Sequence, residues 1–191
     1  EHTMYSNDTA QTNTVVTIET RNSQSPRITA VDDDQLENAG LGIELAVDKR
    51  ATRYSPAMVR ATLRNESNST IGVACSGVAP LGNAVVSNNN ELFAAPQRLD
   101  MAGKSSDEIE CGFAPPEREG TCWRSYEYIY TMDRLTGYTL YPGEAISNIH
   151  NLLVPRGNSC PGGGEYEFRD SRLQYQEEGD EERTDIEWSF T

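Results

Sequence analysis

The strongest constraint on the fold is a two-residue rhythm of apolar side chains, broken every 8 to 12 residues by turn formers. In LGIELAVD, Ile43, Leu45 and Val47 share one face; in PAMVRATLRN, Val59, Ala61 and Leu63 do the same, with Pro56 suited to a strand start. TIGVAC, NAVVSN, ELFAA, YEYIYTM, YTLY, AISNIHNLLV, GEYEF, RLQYQ and DIEWSFT continue the series. NESNS, APLGN, SNNN, TMDRLTG, YPGE, PRGNSCPGGG and EEGDEE supply the turns. No segment repeats at the helical period over a useful length. Many short strands at this spacing predict an all-β chain folded as an antiparallel β-sandwich. The expected domain covers residues 41–191. Its last strand, DIEWSFT, would bury Ile186, Trp188 and Phe190 on one face. Residues 1–40 read as an N-terminal extension that ends in an acidic hinge at 32–40, DDDQLENAG.

Charge bears on the solvent. Thirty acidic residues face sixteen basic ones, a net charge of −14, and only Lys49 and Lys104 are lysines. Such a chain repels itself in dilute buffer. In molar salt the screening length falls to roughly 3 Å and the repulsion largely vanishes. Lysine depletion with excess carboxylate points to a halophilic archaeon, and the charge argues against a nucleic-acid partner. No stretch approaches the length of a membrane span. A chain opening at Glu1 without an apolar signal core is what a processed exported protein would present.

The four cysteines, Cys75, Cys111, Cys122 and Cys160, fit an exported chain with two disulfides. Cys111 and Cys122 bracket GFAPPEREGT and are the nearest pair in sequence, which would leave Cys75 with Cys160; Cys122 with Cys160 is the open alternative. Zinc is disfavoured: there is no CxxC, and the histidines are His2 and His150 alone.

PAMVRATLRNES, CWRS, YTLYPGEAISN and SCPGGGEYEF together resemble a recurring pattern of exported haloarchaeal proteins. It comprises a strand with an LxNxS turn, an LxPGE turn and a Cys-Pro-Gly-Gly approach to a late strand. The resemblance spans residues 43–169 and implies an immunoglobulin-like sandwich at the cell surface. It implies no activity.

Catalytic patterns are absent: there is no GxSxG, HExxH or P-loop. His150 sits in an alternating strand and reads as a hydrogen-bonded or surface residue. Asp32, Asp33 and Asp34 lack the alternating spacing of a calcium loop and read, like EEGDEE, as solvated acid, so neither metal nor cofactor is expected. Asn7, Asn65 and Asn68 open sequons in a tail and a turn, where glycans could be accepted. Tyr126, Tyr128 and Tyr130 read as a packed sandwich face rather than a binding stripe.

One segment stands apart. In TNTVVTIET, residues 12–20, Thr14, Val16, Ile18 and Thr20 share a face, and nearly every residue favours a strand. RNSQSP and the acidic hinge separate it from the domain. It is expected to be an extra strand donated to the next subunit. Two buried aliphatic side chains do not offset the entropy of ordering nine residues, so backbone pairing must contribute, and the acceptor must be an open sheet edge or groove. Head-to-tail donation does not close on itself and yields a homopolymer. In layout this is similar to donor-strand subunits of archaeal bundling pili and bacterial matrix fibres. The expected function is therefore a non-enzymatic filament or pilus subunit, extracellular and at the cell surface. The alternative is a monomeric secreted module that binds sugar, matrix or a protease through GFAPPEREGT or PRGNSCPGGG.

Overall fold

The structure is a computed structural model that describes residues 27–29, 31–76, 79–82, 85–96, 117–125, 135–162, 164–177, 179 and 182–191. Among these, the regular structure is almost wholly antiparallel strand. One five-stranded sheet has the order β1 (Val31–Asp32), β12 (Thr184–Phe190), β11 (Phe168–Glu177), β4 (Ile71–Ser76), β9 (Leu135–Leu140). The other runs β2 (Leu41–Lys49), β3 (Ala57–Asn65), β10 (Ala145–Leu153), β6 (Phe93–Pro96), β5 (Val85–Val86). A hairpin of β7 (Glu117–Glu119) and β8 (Cys122–Arg124) forms a ladder of its own, and one short helix, α1 (Asp34–Asn38), lies between β1 and β2 in the chain.

The two-residue rhythm is what closes the sandwich. On β3, Val59, Ala61 and Leu63 are fully buried, while Arg60 and Arg64 point outward. On β12, Ile186, Trp188 and Phe190 enter the core, as expected, and Asp185 and Glu187 face solvent. Phe190 stacks on Phe168 at 4.8 Å between ring centroids and joins the two strands of that sheet. Tyr141-Pro142-Gly143-Glu144 turns between β9 and β10. Pro142 presets φ, Gly143 takes a φ of +81°, and the Glu144 N–H donates to the Tyr141 carbonyl at 2.9 Å.

The acidic hinge expected at 32–40 is instead part of the domain. Val31 pairs with Phe190 at the edge of a sheet, and the Glu187 N–H donates to the Gln35 side chain at 3.0 Å. Leu36 and Ala39 are buried in the core. Gly40 makes the following bend at a φ of +69°, where a Cβ would lie 2.8 Å from that of Ser67. One leucine among acids was enough to dock the segment, because core burial outweighs the solvation of neighbours that stay at the surface. The domain therefore begins before residue 41. GEYEF also differs from its expected strand: residues 165–167 join no ladder, and β11 starts at Phe168.

Registers fix the two ends of the molecule. At one end, β2 begins next to the 66–70 turn and the 141–144 turn. At the other lie the 50–56 loop, the β7–β8 hairpin, Ser87 beside Phe168, and the contact of Thr29 with the C-terminal residue, where the Thr29 N–H donates to the Thr191 carbonyl at 3.3 Å.

Candidate functional site

The edge of β2 is the first place where structure leaves something unfinished. Among the described residues, β2 has one neighbour, β3. Asn65 turns its backbone away from β2: its N–H donates to the Glu144 carbonyl, and its carbonyl accepts from Gly143, each at 2.9 Å. The Glu66 N–H goes the other way, to the Gly40 carbonyl at 2.8 Å. Because antiparallel pairs alternate, Gly42, Glu44 and Ala46 bond to β3. Leu41, Ile43, Leu45 and Val47 then direct their N–H and C=O groups to the free side. The side chains of Ile43, Leu45 and Val47 belong to the apolar face yet are only half-buried, whereas their partners Leu63, Ala61 and Val59 are sealed. A bulge between Val47 and Lys49 ends the regular edge, and Asp48 in it pairs with Arg60.

The second place is the end that carries the 50–56 loop. Lys49, Arg50 and Arg53 are exposed there, with Arg118 on the hairpin nearby. Arg53 lies 4.4 Å above the ring of Tyr54, which is 74% exposed. Trp123 packs on Phe93, Ala95 and Leu153 and donates its indole N–H to the Thr52 carbonyl at 2.9 Å. Cys122 is bonded to Cys160, which ties the hairpin to the 155–165 loop. This pairing occupies both sulfurs, so Cys111 does not bond Cys122 and Cys75 does not bond Cys160. Sequence proximity misled because β8 lies against the end of β10, where the Val154 N–H donates to the Trp123 carbonyl and the Ser125 N–H to that of Val154. Cys75 is buried in the core on β4, and Cys111 lies outside the described residues.

Asp33, just after β1, feels the charges of its neighbours Asp34 and Asp32 and, more weakly, that of Glu66. Burial chiefly raises the Asp33 pKa, its own backbone opposes this, and the charges of Asp34, Asp32 and Glu66 raise it further. Among the described residues, no three of His, Cys, Asp and Glu are grouped to hold a metal ion. No helix among them is long and apolar enough to cross a membrane.

One expected glycan acceptor sits where that chemistry is closed to it, and one histidine sits deeper than expected. Asn65 is fully buried. Its Nδ2 donates to the Ser69 carbonyl at 2.7 Å and the Leu140 carbonyl at 2.9 Å, and its Oδ1 accepts from the Ser67 N–H at 2.9 Å and the Ser67 hydroxyl at 2.8 Å. Both amide hydrogens are used, so Asn65 is the organiser of its turn rather than a glycan acceptor of the folded chain. Asn68, three residues on, is exposed. His150, expected to be hydrogen-bonded or at the surface, is fully buried, and among the described residues neither ring nitrogen has a well-formed hydrogen bond. Burial lowers its pKa to about 4, against smaller opposing contributions from the backbone of Gly82 and Asn148. It is sealed from substrate and solvent.

The segment with Thr14, Val16, Ile18 and Thr20, the sequon at Asn7, His2 and the tyrosines at 126, 128 and 130 lie outside the described residues. The arginine-rich end was missed by sequence reasoning, although DKRATR beside DDD is visible once charge is read by segment rather than as a total. Among known proteins, no family model and no curated protein matches the chain.

Proposed function

We propose that the protein is a non-enzymatic, exported structural subunit of a surface filament of a halophilic archaeon. Its immunoglobulin-like sandwich is joined to the next copy by an N-terminal strand, residues 12–20. The observation that supports this reading best is the edge of β2, which has no neighbour on one side among the described residues. There a row of outward N–H and C=O groups is backed by the half-buried side chains of Ile43, Leu45 and Val47. Natural sheets blunt such edges or cover them, because an open edge is a template for another strand. The chain supplies a strand of matching pattern. A disulfide that clamps two loops agrees with export to an oxidising compartment.

A second reading has its own observation. Tyr54 and Arg53 form an exposed aromatic and cationic surface on a loop held by the half-buried Trp123, next to the Cys122–Cys160 bond, as a monomeric module for sugar or protein ligands would require.

Electron microscopy and light scattering in molar salt separate the two. The native chain should form filaments. A chain whose residues 12–20 are replaced by a glycine–serine sequence of equal length should remain a folded monomer. A native chain that stays monomeric at every concentration overturns the filament reading.

A further inference from the structure

We propose that the acceptor is the β2 edge of a second copy, which takes residues 14–20 as an antiparallel strand with Thr14 opposite Val47 and Thr20 opposite Leu41. This rests on the filament reading and adds to it a partner surface, a register and a polarity.

Three observations carry it. The first is length. The regular part of the edge, from Leu41 to the bulge after Val47, is seven residues, and the alternating face of the segment, Thr14 to Thr20, is also seven. The second is side-chain fit. The outward backbone groups of β2 belong to Leu41, Ile43, Leu45 and Val47, the residues whose side chains face the core. A strand that bonds to them pairs residue for residue on that same face. Val16 then lies beside Leu45 and Ile18 beside Ile43, over the apolar row that its own sheet leaves half-covered. Val15, Thr17 and Glu19 fall on the solvent face with Ala46, Glu44 and Gly42.

The third is the placement of charge and chain. The extension joins the domain at Arg27, at the end that carries Lys49, Arg50 and Arg53. The acceptor edge starts at the other end, beside Glu66 and the turn that carries Glu144. Stacking copies in one orientation sets Lys49, Arg50 and Arg53 of each against Glu66 and Glu144 of the next. Residue 27 of one copy is then close to Leu41 of its neighbour. The six residues 21–26 span about 20 Å when extended, enough to cross the junction. The strand runs back toward its own domain, which makes it antiparallel to β2. Every copy offers one strand and one edge, so the assembly is polar and does not close.

The register predicts one cross-link. Thr17 and Glu44 would oppose each other on the solvent face in a non-hydrogen-bonded pair, where side chains approach most closely. Full-length chains carrying Thr17→Cys alone are mixed with full-length chains carrying Glu44→Cys alone, assembled in molar salt, oxidised, and mapped by peptide mass spectrometry. The expected result is covalent dimers joined 17 to 44, with filaments retained. Partners carrying Thr139→Cys on β9, the edge of the other sheet, should give none. Filaments that link 17 to 139, or link to neither position, overturn the β2 assignment and leave the filament reading standing. A chain carrying both Thr17→Cys and Glu44→Cys that links only within itself, as a monomer, overturns donation altogether.

Discussion

Replacing Asn65 by alanine should be among the most damaging single changes outside the apolar core. Four side-chain hydrogen bonds disappear at once: two that Nδ2 donates, to the Ser69 and Leu140 carbonyls, and two that Oδ1 accepts from Ser67. Ser67 is only partly buried, so water can replace those two at small cost. The Leu140 carbonyl belongs to a residue that is 3% exposed and has no such recourse. At about 1–3 kcal/mol for a buried group left without its partner, plus about 1 kcal/mol for the weaker bonds together, the loss should be about 2–4 kcal/mol. Equilibrium unfolding in denaturant, in molar salt, measures it as a lowered midpoint with an unchanged slope. Asn65→Asp is the sharper companion. It retains the acceptor for Ser67 but sets a carboxylate against two carbonyl oxygens. It should be at least as destabilised as the alanine variant at neutral pH and recover in part in acid, where the protonated carboxyl can donate. The glycan prediction follows from the same geometry: intact-mass analysis of the native protein should find sugar at Asn68 and none at Asn65. A loss under about 1 kcal/mol for Asn65→Ala, or a glycan on Asn65 of folded protein, would refute the reasoning.

His150 should make the fold acid-sensitive. Its pKa is lowered to about 4 in the folded state, so between about 6.5 and 4 the unfolded chain binds more protons, and stability falls as pH drops through that window. The contribution is about 3 kcal/mol, and a His150→Leu variant should lose this part of the pH dependence in denaturant melts. The Cys122–Cys160 bond closes a sequence separation of 38 residues, for which loop entropy gives about 4 kcal/mol. A Cys122→Ser/Cys160→Ser variant should melt earlier by that order, and peptide mapping should recover the 122–160 link rather than 111–122. With a net charge of −14, the melting temperature should rise steeply from 0.1 M toward about 2 M salt, and a flat curve would contradict adaptation to high salt.

The sheets were legible in the sequence because alternation is a local property: β3 and β12 carry their burial pattern in their own residues. What depends on contacts distant in sequence was not. Nothing local distinguishes Asn65 as a turn organiser from Asn65 as a glycan acceptor, since the deciding partner, the Leu140 carbonyl, is 75 residues away. The disulfide followed the packing of β8 against the end of β10, which sequence distance does not encode. Leu36 shows a third kind of miss. In DDDQLENAG the acids dominate any average, yet the one leucine decides where the segment goes. The free edge of β2 could be anticipated only as a requirement of the segment at 12–20, because an edge is a property of neighbours and not of a strand.

The claim that residues 12–20 serve a neighbour and not their own domain is tested most directly by one variant, Ile18→Asp, measured for both monomer stability and polymer formation. An aspartate there must be desolvated without a partner or hold the strand out of the acceptor. Strand donation predicts a melting temperature for the monomer equal to that of the native monomer, and no filaments in molar salt. A monomer that melts markedly earlier, from a native chain that never polymerises, would show that the strand completes its own sandwich and would contradict the account.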